Sequence, residues 1–182
     1  MKKKAGQKRF SLVPIGVLRT PFKRAKDCPF QGSKAGVDGE ILLKKRFLSG
    51  LKDLHGVSHL FLLTFMDHAR RDRFQTVTPY GPERHGVFAT RSPHRPNPIG
   101  LSVVELVKIE GQRIFVRGVD ALDGTPVIDI KPYNPEIDAY PQAVAGWYEN
   151  SKKHSKPLSK TRGPKGKILP AGANIPSEKP KK

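Results

Sequence analysis

The densest run of chemistry-bearing residues is RSPHRPNPIG at 91–100. Pro93, Pro96 and Pro98 fix their own φ and push the residues before them into extended backbone. Arg91, Arg95 and Asn97 are thereby held on a stiff, non-repetitive segment between two strand-like runs. Polar groups oriented in advance lose little entropy on meeting a ligand, which is what a recognition loop needs. The same prolines also suit a rigid crossover that merely ends strands, and composition alone does not separate the two.

A second candidate is DALDGTPVIDIKPY at 120–133. Asp120 and Asp123 surround a turn whose Gly124 is free to take a positive φ. It reads as an Asp-Gly turn between strands. A carboxylate on such a turn can also accept from ribose hydroxyls, as acidic residues do in nucleotide sites. Asp129 and Lys131, two residues apart, share one strand face, as a surface ion pair does.

The other reactive side chains are scattered. The histidines at 55, 59, 68, 85, 94 and 154 form no close ligand motif. His55 and His59 are four apart, but Gly56 and a strand beginning at 58 break any shared helical face, so no metal is expected. Cys28, alone in the chain, cannot form an internal disulfide. It reads as an incidental thiol or as a nucleophile in a polar loop. Phosphate-cradling P-loops, GxGxxG and GxSxG patterns are all absent from the sequence.

The elements that must position these residues are short strands. Strand signals run through SLVPIGVLR (11–19), GEILL (39–43), SHLFLLTFMD (58–67), HGVFATR (85–91), LSVVELVKIEG (101–111), RIFVRGVD (113–120) and PVIDIKPY (126–133). The segment 58–67 is almost continuously apolar, which predicts a strand buried on both faces. The pair around Gly111-Gln112 predicts a hairpin. Phe47, Leu48, Leu51 and Leu54 share one helical face, predicting a helix over 44–54 that stops at Gly56. Polar loops are expected at 20–38 and 72–84. The sum is a mainly β domain over 10–150: a compact, antiparallel, barrel-like sheet with one or two short helices, unlike a Rossmann fold.

Charge divides the chain differently. The net charge is +18, but residues 1–9 hold five basic and no acidic residues, and 151–182 hold ten basic and one acidic. The body between is nearly balanced. Both ends lack the apolar content to offset ordering entropy, so a disordered basic arm (1–9) and a basic low-complexity tail (151–182) are expected. Lysine-rich arms attract RNA, DNA or an anionic membrane surface without reading sequence. The longest apolar stretch, LFLLTFM at 60–66, falls far short of the roughly 20 residues that span a bilayer. The start resembles a signal peptide, but Pro14 and Gly16 interrupt it and Arg19 closes it early. The expectation is a soluble intracellular, cytoplasmic protein.

At IGVLRTPF (15–22), GVSHLFLL (56–63), GVFATRSPHRPNPIGLSVVEL (86–106) and GVDALDGTPVIDIKPY (118–133), the chain resembles the TsaA-like family, also known as TrmO. The resemblance implies a small β-barrel, a homodimer, and binding of S-adenosylmethionine. It also implies transfer of methyl to N6 of threonylcarbamoyladenosine next to the anticodon in tRNA. By the same resemblance the cofactor would meet Phe30, Gln31 and Gly32 in the first loop, Asp67 and His68 at a strand end, and Arg91 and Leu101 around the proline loop. Leu122, Asp123, Gly124 and Thr125 would complete it at the turn. For a general base near the acceptor nitrogen, Asp67, His68 and Asp129 are the residues to examine, with His68 favoured. The alternatives are a non-catalytic cofactor-binding RNA module and a methyltransferase with another acceptor.

Overall fold

The computed structural model describes residues 10–152; the arm 1–9 and all of the tail beyond 152 lie outside the described residues. Among the described residues eight strands form: β1 (Gly16–Arg19), β2 (Asp38–Leu43), β3 (His59–Phe65), β4 (Gln75–Thr78), β5 (Gly81–Gly86), β6 (Ile99–Glu110), β7 (Arg113–Arg117) and β8 (Pro126–Pro132). Six of them close a barrel in the order β1-β2-β7-β6-β3-β8, every pairing antiparallel. Closure comes from Gly16 and Val17 of β1, which pair with Val127 and Pro126 of β8.

The interior is filled by alternate side chains. Leu18, Ile41, Leu60, Leu62, Val104, Ile114, Val116 and Val127 are each at most 2% exposed. A barrel this narrow has no lumen, only core, and each such side chain contributes about 1.5–3 kcal/mol on burial. Phe22, Val119 and Ala121 extend the same cluster. The long strand β6 serves two neighbours: Ile99–Glu105 pair with β3, and Glu105–Glu110 with β7. The register shifts between Leu106 and Lys108, a bulge that turns the strand from one partner to the next.

The hairpin expected around 111 is β6–β7, with Gly111 at φ 59, and the expected antiparallel barrel is the fold. Several local expectations differ. Residues 44–54 form no α-helix; they make two 3₁₀ helices, Lys45–Leu51 and Leu54–Gly56. The apolar spacing at 48, 51 and 54 is three, which suits three residues per turn equally well. The strand expected at 85–91 ends at Gly86, because Val87–Ala89 curls into another 3₁₀ turn. The loop expected at 72–84 contains β4 and most of β5, which pair with each other outside the barrel. In β3, Leu60, Leu62 and Thr64 are buried while Phe61, Leu63 and Phe65 are only half-buried, so the strand has one core face rather than two.

Three short α-helices complete the described residues: α1 (Gly32–Ala35), α2 (Pro135–Asp138) and α3 (Trp147–Lys152). Trp147 fastens α3 to the β4–β5 hairpin. Its ring stacks on His85 at 3.8 Å and its Nε1 donates to the Ala89 carbonyl at 2.9 Å. Among the described residues no helix is long and apolar enough to cross a membrane.

Candidate active site

At one end of the barrel β3 finishes, β6 and β8 begin, and the chain leaves β1 for its first loop. A cavity of about 520 Å³ opens there. Its walls come from four stretches: 25–31, 66–69, 91–102 and 120–125. Backbone bonds set each in place.

The proline loop is organised by hydroxyls. Thr90 Oγ1 donates to the Val87 carbonyl and accepts from Ser92 N–H. Ser92 Oγ in turn accepts from His94 N–H. Each hydroxyl closes a turn two residues on, so the backbone coils without forming helix or strand. Pro98 is fully buried, and its carbonyl accepts from Met66 N–H at 2.8 Å, tying the loop to the end of β3. Arg91, Arg95 and His94 face the cavity.

The turn at 121–125 is stapled to β1. Gly124, at φ 84, occupies the left-handed region where glycine is unstrained, and its N–H donates to the Leu18 carbonyl. Asp123 accepts from Thr20 N–H at 3.1 Å and from Lys23 Nζ at 2.7 Å, with Arg19 at 3.7 Å. Burial alone would raise its pKa. The hydrogen bonds from Lys23 and Thr20, helped by the charges of Lys23 and Arg19, outweigh burial and hold it below the usual carboxylate range.

Asp120 does a different job. Its two oxygens accept from Gly32 N–H at 3.1 Å and Ser102 Oγ at 2.7 Å, clamping the first loop against β6. Gly32 fits because it has no side chain: a Cβ there would run into the Gly118 carbonyl oxygen. Gly100 on the cavity floor is similar, with Thr64 Oγ1 where a Cβ would go.

The structure brings Phe30, Gln31, Asp67, His68, Arg91, Leu101, Leu122 and Thr125 together on the lining. Gly32, Asp123 and Gly124 are outside the lining and hold the walls from behind. Asn97 is exposed and does not line the cavity. Asp129 lies elsewhere: it pairs with Lys131 at 2.8 Å and lines a second, smaller cavity with Ile15, Leu43 and Phe47. Sequence reasoning missed Lys26, Met66, Ile99 and Ser102. The Phe65↔Ile99 register of β3 and β6 delivers the last three, and no local pattern announces it.

Asp67 and His68 sit side by side, His68 Nε2 being 3.9 Å from Asp67 Oδ1, with the imidazole 81% exposed. Cys28 also lines the cavity. Burial, reinforced by the negative charges of Asp120 and Asp27, pushes its thiol up to about 11, so it is protonated at neutral pH and a poor nucleophile. Among the described residues no three His, Cys, Asp or Glu side chains converge as a metal site would require. The cavity thus combines an apolar wall (Phe30, Ile99, Leu101, Leu122), cations that have no carboxylate partner among the described residues, and a carboxylate–imidazole pair.

A family model for the tRNA-methyltransferase O N-terminal domain matches residues 17–139. A probable S-adenosyl-L-methionine-binding protein of Archaeoglobus fulgidus is 48% identical over 145 residues, 80% of this chain and 40% of its own length. The tRNA (adenine(37)-N6)-methyltransferase of Escherichia coli is 36% identical over 153 residues, 78% of this chain and 65% of its own. The crystal structure of TrmO from Pseudomonas aeruginosa superposes with a TM-score of 0.67 at 39% identity, covering 77% of this chain and 63% of that one. The chain therefore spans between about two-fifths and two-thirds of the length of these relatives.

Proposed function

The chain belongs to the tRNA-methyltransferase O N-terminal domain family, and from that premise we propose that it is an S-adenosylmethionine-dependent methyltransferase. Its acceptor in this reading is N6 of threonylcarbamoyladenosine at the tRNA position, 37, named for the Escherichia coli relative. The observation that carries the reading is convergence: the proline loop, the first loop and the 120–125 turn enclose one cavity.

The lining suits the cofactor. A volume of about 520 Å³ lies within the range of roughly 300–1,000 Å³ usual for small-molecule sites. Arg91, which has no carboxylate partner among the described residues, would take the cofactor's carboxylate. Leu101, Leu122 and Phe30 offer apolar faces to adenine. Asp67 offers acceptor oxygens to ribose hydroxyls or the ammonium group, and Asp123 and Gly124 act by shaping the turn that bears Leu122 and Thr125. When bound, the cofactor supplies an electrophilic sulfonium methyl group that leaves a neutral thioether behind.

What the chain's own residues do is position, exclude water and accept a proton. The acceptor nitrogen is a poor nucleophile, its lone pair delocalised into both the purine and the carbamoyl group, and it must lose its hydrogen as the new N–C bond forms. His68, on the lining beside Asp67, is the general base in this reading. Rigid placement by the three prolines supplies the rest. The basic arm 1–9 and tail 151–182 supply sequence-independent phosphate grip, and a cytoplasmic homodimer is the expected form.

Labelled methyl transfer to tRNA with and without the threonylcarbamoyl group tests the proposal; transfer confined to the modified tRNA is expected. Equal transfer to both would point to another acceptor. A cofactor-dependent rise in melting temperature with no transfer would leave a binding module. His68→Ala should slow single-turnover transfer by about a hundredfold or more, and a wild-type rate would remove its role. Replacing the tail lysines with glutamine should weaken tRNA binding and flatten its salt dependence.

A further inference from the structure

The charges around the cavity do not balance with the cofactor alone. Lys26, Arg91 and Arg95 line it beside two carboxylates, Asp67 and Asp120. Asp120 is already engaged by Gly32 N–H and Ser102 Oγ. The surroundings are thus net positive before any histidine is counted, and S-adenosylmethionine, with two cationic centres and one carboxylate, is net positive as well. Bringing like charges into a partly desolvated site is unfavourable unless a further anion enters.

Arg95 is the cation best built to meet that anion. It is half-buried on the lining, and among the described residues no carboxylate pairs with it. Its one side-chain hydrogen bond among the described residues is NH1 donating to the Thr90 carbonyl at a long 3.4 Å. That bond orients the guanidinium and leaves most of its five N–H donors open. Pro93 and Pro96 flank it and stiffen the backbone on which it stands. A planar fork with open donors matches a carboxylate in two-point geometry, which a lysine cannot reproduce.

We infer that Arg95 is a specificity residue that receives the carboxylate of the amino-acid substituent on the acceptor adenine. The inference rests on the proposed function and adds the group that distinguishes a carboxylate-bearing N6-substituted adenosine from a plain one. Arg91 serves the cofactor, and Arg95 serves the acceptor.

The test is steady-state methyl transfer by the full chain, comparing wild type, Arg95→Lys and Arg95→Met. The acceptors are threonylcarbamoylated tRNA and the same tRNA after carbodiimide amidation of that carboxylate; cofactor binding is followed separately by calorimetry. Arg95→Met should lower kcat/KM on the acid by about tenfold to a hundredfold, the scale of a charge-assisted contact, mostly through KM. Arg95→Lys should recover only part of the loss. On the amide, wild type should fall to the level of Arg95→Met, and the substitution should add nothing further. Cofactor affinity should stay within about twofold, the scale of a site not touched. Equal losses on acid and amide, or a loss of cofactor affinity, would overturn the inference while leaving the methyltransferase reading standing. A wild-type chain that transfers no methyl to either tRNA would overturn that reading, and this one with it.

Discussion

Arginine does opposite work on two surfaces of this protein. On the outer wall of β2, β7 and β6, each guanidinium is committed to carboxylates. Arg113 forms a two-point bridge to Glu40 at 2.8 and 2.9 Å. Arg117 lies between Asp38 at 2.8 Å and Glu105 at 3.5 Å. Around the cavity, Arg91 and Arg95 have no carboxylate partner among the described residues, although Asp67 and Asp120 share the lining with them. Ordered strands bring complementary charges into register, so paired charge on the wall reflects folding. Proline-held backbone keeps arginines away from such partners, and charge left open there is available to a ligand.

The largest effect should come from breaking the wall. Arg113→Met strands Glu40, whose side chain is only 12% exposed, and should cost about 2–3 kcal/mol of stability. Urea titration would measure it, with cofactor affinity of the folded protein unchanged. Next comes the cavity: Arg91→Met should leave stability within about 0.5 kcal/mol while weakening cofactor binding about tenfold to a hundredfold, read by calorimetry. An unfolding midpoint that moved with Arg91, or a cofactor affinity that moved with Arg113, would dissolve the distinction.

A smaller effect sharpens it by pH. The Asp123 carboxylate is held below its ordinary value in the folded chain, so its contribution is present above the unfolded value, about 3.9. That contribution is lost as the pH falls through the lower folded value. Asp123→Asn should therefore be less stable than wild type near pH 6, and the gap should close as the medium is acidified. Thermal unfolding at a series of pH values would follow it; a gap independent of pH would exclude the ion pairs as its source.

Legibility followed the range of the interactions. The β6–β7 hairpin was readable because alternation and the Gly111 turn are local, and Arg91 and Arg95 were conspicuous because prolines surround them. Closure between β1 and β8 rests on a few pairings between residues more than a hundred positions apart, which no window along the chain contains. The same limit hid the division of labour between Asp120 and Asp123. Both read as turn carboxylates, yet one clamps Gly32, 88 residues away, and the other holds Thr20, 103 residues away. The segment 44–54 misled for a local reason, since its apolar spacing served two helical periods.

The contact between Gly32 and Gly118 bears on how freely the site can diversify. Residues 33–35 are exposed and carry no such constraint, whereas position 32 has the Gly118 carbonyl where a first side-chain carbon would sit. A library randomised across 32–35 and selected for folding should return glycine at the first position and broad tolerance at the other three. Variation in the neighbouring loop is thus pinned at a single pivot, and new pockets can be sampled around it without rebuilding the barrel.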